Sequence, residues 1–98
     1  MAAYVISEVR LLDRELAERY MDLAAASIER HGGRYVVRGA EPDVPEGDWD
    51  RDRRVVIVEF ADMNELNEWY TSEDYAQALE IRKDALDRRL LFVEGVST

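Results

Sequence analysis

The run Arg54-Val55-Val56-Ile57-Val58-Glu59-Phe60 constrains this chain more than any other stretch. Side chains along an extended backbone alternate between two faces, and here four consecutive β-branched residues make both faces apolar. A strand of that kind belongs in the middle of a sheet with both faces covered. With 98 residues the chain has the length for one core only, so residues 1–98 are expected to form a single domain. Whatever covers the second face of the strand must come from within that domain or from another molecule.

The rest of the pattern supplies the partners. Ala3 to Val9 reads as a first strand, with Tyr4, Ile6 and Glu8 on one side and Val5, Ser7 and Val9 on the other. Asp13 is a suitable N-cap, after which Leu16, Tyr20, Leu23, Ala24 and Ile28 recur on one helical face until His31-Gly32-Gly33 ends the helix. Arg34 to Arg38 is a second strand, closed by Gly39. Glu41 to Asp52 holds both prolines, Gly47 and many acids, and is expected to be a solvated loop in which only Trp49 favours burial. Asp62 with Glu65 gives a capping-box pattern for a helical segment ending near Trp69-Tyr70. Thr71 or Ser72 then restarts a helix, with Tyr75, Leu79, Arg82 and Leu86 on one face as far as about Asp87. Arg89 to Glu94 is the last strand.

This order predicts an α+β, ferredoxin-like βαββαβ domain: a four-stranded antiparallel sheet in the order 4-1-3-2, with the helices on one face. Alternation assigns Val5, Val9, Tyr35, Val37, Val56, Val58, Phe60, Leu91 and Val93 to the helix side. It assigns Tyr4, Ile6, Val36, Val55, Ile57, Leu90 and Phe92 to the open side, together with Arg34, Arg38, Glu8, Glu59 and Glu94. The expected rows are Arg34, Glu59, Tyr4 and Glu94; then Val36, Ile57, Ile6 and Phe92; then Arg38, Val55, Glu8 and Leu90. An open face so apolar at its centre is expected to pair with a second copy and close a dimeric α/β barrel.

Composition narrows the partners. Thirteen Lys and Arg against 22 Asp and Glu leave a net charge of −9, a field that repels nucleic-acid backbones and anionic membrane surfaces. Without cysteine there is neither a disulfide framework nor a thiolate zinc site. Glu8 and Arg10 interrupt the amino end too early for a signal-peptide core, so a cytoplasmic location is expected. Asp48, Asp50, Asp52 and Glu59 fall at the spacing of a calcium loop, but Arg53 stands where the turn requires glycine and Glu59 lies in a strand. No metal or cofactor is expected.

Candidate site residues follow from polar groups at positions that favour apolar ones. His31, the one histidine, is a candidate general base, although a place at a helix C-terminus before two glycines also explains it as a complement to the helix dipole. Glu59 is the other candidate for proton transfer. Arg34, Arg38 and Arg82 on largely apolar faces need either carboxylate partners or an anionic ligand. Glu8, Glu59 and Glu94 are the internal partners on offer, and pairing with them would make these charges structural. Trp69 and Tyr75 could line a pocket for a planar molecule or simply fill the core.

Several of these residues also form a recognisable set: His31-Gly32-Gly33-Arg34-Tyr35, Arg38-Gly39, Glu59-Phe60, Trp69-Tyr70, Ser72, Tyr75, Arg82 and Val93-Glu94-Gly95. The set resembles the domain-of-unknown-function family numbered 1330 and covers nearly the whole chain. The resemblance implies the dimeric α/β barrel superfamily, whose other branches include cofactor-free quinone-forming monooxygenases, muconolactone isomerases and YCII-like proteins. It supplies fold and assembly, because the family carries no established activity. The resulting expectation is a homodimer that binds a small anionic or aromatic metabolite in a cleft lined by Arg38, Arg82, Trp69 and Tyr75, with Arg34 nearby. The alternatives are a non-catalytic binding or assembly module, and a cofactor-independent monooxygenase-like or isomerase-like enzyme.

Overall fold

The computed structural model describes residues 1–96. In chain order its elements are β1 (Ala3–Leu11), α1 (Arg14–Arg30), β2 (Arg34–Ala40), β3 (Arg54–Phe60), α2 (Met63–Tyr70), α3 (Glu73–Ala85) and β4 (Leu86–Glu94). The strands pair antiparallel in the order β2-β3-β1-β4, which is the expected order read from the other edge. β1 and β3, whose apolar residues occupy both faces, take the centre.

Local signals place the helix ends. Asp13 accepts from the Leu16 N–H at 3.0 Å and Asp62 from the Glu65 N–H at 2.8 Å, each satisfying a donor that the first turn leaves free. Ser72 joins two helices with one hydroxyl: its Oγ accepts from the Tyr75 N–H at 3.2 Å and donates to the Trp69 carbonyl at 2.7 Å. α1 ends with Gly32 at φ 79, where the Gly32 N–H donates to Glu29 O and the Gly33 N–H to Ile28 O, the paired bonds of a Schellman motif.

α1 and α3 run antiparallel over the sheet. At one end Leu12 and Asp13 N–H groups both donate to the Ala85 carbonyl. At the other, Asp74 accepts from Arg30 Nε at 2.9 Å and lies 3.2 Å from His31 Nε2. Buried alanines on both helices, Ala17, Ala24, Ala78 and Ala85, leave room for the close approach. Phe60, Leu66, Trp69 and Tyr75 form the fully buried centre. The Trp69 ring lies 4.2 Å from Tyr75 and 5.4 Å from Phe60, while its Nε1 donates to Ser27 Oγ at 3.0 Å. Among the described residues no helix is long and apolar enough to cross a membrane.

Two strands depart from the expected alternation. β4 begins at Leu86, directly after α3, and Ile6 pairs with Leu91 while Tyr4 pairs with Val93. Leu91 and Val93 therefore lie on the open face, at 42% and 40% exposure, and Leu90 and Phe92 pack toward the helices. Glu94 pairs with buried Ala3 and is not in the row of Tyr4. A phase error of one residue inverts a whole strand, because the side-chain period is two. In β2 the register shifts between Tyr35 and Val37, so that Val37 faces Ile57 and Arg38 faces Val56. This bulge moves Arg38 from its expected open-face position to the helix side and brings Val37 to the open one. Only parts of the expected rows stand: Arg34 faces Glu59 and Glu59 faces Tyr4, Ile57 faces Ile6, and Val55 faces Glu8.

Two predictions test this architecture. A Cβ at Gly33 would stand 2.6 and 2.7 Å from Phe60 ring carbons and 2.9 Å from Ile28 Cγ2. Gly33→Ala should lower stability by about 1–3 kcal/mol, the range for overpacking a core. A lowered urea midpoint is expected, and an unchanged one would contradict the close approach of Phe60. Hydrogen bonds from Arg30, first, and His31 hold the Asp74 carboxyl well below the usual carboxylate range. A depressed folded pKa stabilises above the unfolded value of about 4 and loses that contribution as pH falls through the folded one. The stability gap between wild type and Asp74→Asn should therefore be full at neutral pH and shrink below about pH 4, as read by thermal melts across pH.

Candidate functional site

The helix side of the sheet does not close completely on α1. A cavity of about 500 Å³ lies between them. Val5 and Val9 of β1, Val56 and Val58 of β3 and Leu90 of β4 form its floor, and Ala24, Ile28 and Trp69 close it from above. It is a mostly apolar enclosure of the size of small-molecule sites, with a few polar groups entering it.

Arg88 of β4 is the most consequential of those groups. Its Nη1 donates to Tyr20 Oη at 2.7 Å and its Nη2 to Tyr75 Oη at 2.9 Å, and the two phenol oxygens are 2.7 Å apart. Among the described residues no carboxylate pairs with it. Burial pulls the Arg88 pKa down, but the two phenol oxygens more than offset this and the guanidinium stays charged. Burial also pushes the Tyr75 phenol far above its ordinary value, so Tyr75 cannot ionise to neutralise Arg88. The bond between the tyrosines consumes one hydroxyl proton. The other has no acceptor within the cluster.

Further polar groups share the lining. Arg38 stacks over the Tyr35 ring at 4.2 Å, and among the described residues Arg54 bonds only to the carbonyls of Arg51 and Arg53. Ser7 is buried on the helix side of β1, and its Oγ has no hydrogen-bond partner among the described residues. Arg10 and Asp52 also reach its rim, but Arg10 is paired with Asp87 and Asp52, which leaves Arg38, Arg54 and Arg88 as the lining cations without a carboxylate among the described residues, in a chain of net charge −9. That reversal makes the cavity an electrostatic sink for anions.

The open face is arranged differently. Glu59 accepts from Tyr4 Oη at 2.9 Å and from Arg34 Nε at 2.8 Å, and these two bonds, Tyr4 first, lower its pKa. At the other end Arg89 donates to both oxygens of Glu8, while Arg10 and Arg53 share Asp87. Between them lie Ile6, Ile57, Leu91, Val37 and Val55, which gives the expected apolar centre and charged ends with Leu91 in the place assigned to Phe92. Beside the Glu8 end is a second, more polar hollow of about 460 Å³ under the 41–53 loop, where Trp49 is half-buried and its indole N–H has no partner among the described residues.

The structure thus separates the residues singled out in the sequence. Arg38 and Trp69 line the cavity, and Tyr75 stands behind it through Tyr20 and Arg88. Arg34 and Glu59 pair on the open face. His31 ties α1 to Asp74, and Arg82 is half-buried on α3 with its Nε unpartnered; neither lines either hollow. Arg88, Tyr20 and Ser7 were not singled out. One signal was available: on the side of β1 that carries Ala3, Val5, Val9 and Leu11, Ser7 is the only polar residue. Among the described residues no group of three or more His, Asp or Glu side chains could hold a metal ion.

Comparison with known proteins places the fold. A solved protein of unknown function from Rhodopseudomonas palustris shares 24% identity, with 99% of this chain and 84% of that one covered at a TM-score of 0.78. SnoaB, a cofactor-independent oxygenase from Streptomyces nogalater, shares 12% identity over 99% of this chain and 95% of its own, at a TM-score of 0.72. A de novo designed protein also matches, at 10% identity, 98% and 100% coverage and a TM-score of 0.64, so the fold alone implies no activity. No curated protein matches the chain. Over residues 2–96 the chain matches the family described as domain of unknown function DUF1330, and it belongs to that family.

Proposed function

We propose that this protein binds a small, largely planar organic anion in the cavity between α1 and the sheet, with the acid group of the ligand on Arg88. The observation that carries this reading is the half-buried guanidinium of Arg88, which has two neutral hydroxyls and, among the described residues, no carboxylate for partners. A buried charge without a counter-ion is costly, and an incoming carboxylate or phenolate supplies the missing partner through charge-assisted hydrogen bonds. The apolar floor suits a hydrocarbon or aromatic body, and Arg38 and Arg54 favour entry of an anion. Cofactor-free turnover of such a ligand is a narrower version of the same reading, and SnoaB is a cofactor-independent oxygenase of this fold. The non-catalytic alternative keeps the binding and drops the turnover.

The open face supports a second part of the proposal, a homodimer formed by packing two such faces together. Its ionic groups are already paired within the chain, while Val36, Leu91 and Val93 are 49%, 42% and 40% exposed. A self-complementary patch with an apolar centre and satisfied charges at its ends suits a two-fold interface.

Two measurements test these statements. Benzoate should raise the melting temperature, and neutral benzyl alcohol should not. Arg88→Gln should weaken benzoate binding by about tenfold or more in calorimetry, since a charge-assisted bond contributes about 1.5–3 kcal/mol. Arg89→Gln, on the other face, should leave it unchanged. Equal response to both probes, or wild-type affinity in Arg88→Gln, would count against an anion site. For assembly, light scattering should find a dimer at micromolar concentration, and Leu91→Glu should give a folded monomer, because a charge there is tolerated in water but not inside an interface. A wild-type monomer would overturn the dimer.

A further inference from the structure

We infer that Ser7 is a second, specificity-determining anchor of the cavity, so that the preferred ligand is an acid bearing a hydroxyl or carbonyl oxygen close to its carboxylate. This rests on the proposal that Arg88 holds the acid group.

The placement of Ser7 is the starting point. Ser7 is 5% exposed, lines the cavity, and its Oγ has no hydrogen-bond partner among the described residues. Its neighbours across the sheet are Val56 and Leu90, and its neighbours along the strand on the same side are Val5 and Val9. An alanine or valine there would continue the apolar floor without burying a hydroxyl. Buried hydroxyls are nearly always satisfied, and one that is not marks either a site for a missing group or a cost without return.

The register places the two contacts on neighbouring strands and the same face. Val9, two residues from Ser7 on the same side of β1, pairs with Arg88 of β4. Ser7 and Arg88 are therefore diagonal neighbours on adjacent strands, with Cα atoms about 7–8 Å apart. A carboxylate on the Arg88 guanidinium and an oxygen on Ser7 Oγ can then belong to one small molecule lying across β1 and β4. Oxo acids, hydroxy acids and ortho-hydroxy aromatic acids have that arrangement. Simple monoacids leave Ser7 unanswered. Tyr20 lines the same cavity, and when Tyr75 is the donor in their shared bond the Tyr20 hydroxyl is free to donate to a ligand beside Arg88.

A site built to hydrogen-bond a ligand oxygen discriminates against the analogue that lacks it, since the buried group of the protein is then left unpaired. Benzoate and salicylate differ by that one oxygen. In calorimetric titrations, wild type should bind salicylate about tenfold more tightly than benzoate, the equivalent of one good hydrogen bond. Ser7→Ala should bring the two affinities to within about twofold by weakening salicylate alone. Its melting temperature without ligand should be unchanged or raised, because no protein partner of the hydroxyl is lost. A wild type indifferent between the probes, a preference that survives in Ser7→Ala, or a lowered melting temperature of that variant would each overturn the role of Ser7. Arg88→Gln, with Arg88→Lys as a check against misfolding, separates the two readings. If removing the guanidinium weakens both probes while Ser7→Ala leaves their ratio intact, only the Ser7 inference fails. If neither probe binds wild type, or neither responds to Arg88, the anion site fails and Ser7 with it.

Discussion

The indole of Trp69 is where the layers of this domain meet. Its ring packs against Tyr75 of α3 and Phe60 of β3, and its N–H reaches Ser27 of α1, which in turn donates to the Ala24 carbonyl. One side chain thus ties the second crossover to the first helix and both to the sheet. Large aromatic area supplies the burial, and the satisfied N–H fixes the orientation of the ring. The same packing holds α1 off the sheet at one end. Trp69 and Tyr20 are walls of the space that remains, so the core and the cavity are two consequences of one arrangement.

The two faces of the sheet treat charge in opposite ways. On the open face Arg34, Arg89, Arg10 and Arg53 all have carboxylates within reach. These charges are spent on the protein itself, and partly exposed pairs of this kind contribute little stability. On the helix side Arg88 has only phenols. Burial holds the Tyr75 phenol above its ordinary value, so Tyr75 supplies no counter-charge to Arg88. An acidic chain therefore encloses a basic cavity, which keeps anions away from its surface at large and favours them at one place.

Most local structure was legible in the residues. The caps at Asp13, Asp62 and Ser72 and the glycine stop after His31 act within a few residues of themselves, and each formed where its chemistry required. Strand order followed from handed crossovers, and the pairing of Arg34 with Glu59 and of Glu59 with Tyr4 followed from alternation. The last strand failed for a definite reason. Leu86 satisfies both the helical face of Tyr75 and Leu79 and the apolar side of a strand, so periodicity alone could not say where α3 ends. Reading β4 from Arg89 left Arg88 outside the strand and placed Phe92 on the wrong face. The bulge near Val36 had no sequence marker of its own, and it moved Arg38 to the cavity side.

The sequence by itself determined the element types, the sheet order, the acidic balance and the existence of a sheet with too much apolar surface for one layer of helices. Those properties depend on local backbone chemistry and on sums over the chain. Only the tertiary structure decided which arginines have carboxylates and which do not. Parity along a strand is a binary choice set by pairing with distant residues, Val9 against Arg88 and Ser7 against Leu90, and a shift of one residue reverses it. The difference between a structural ion pair and a ligand site rests on that choice.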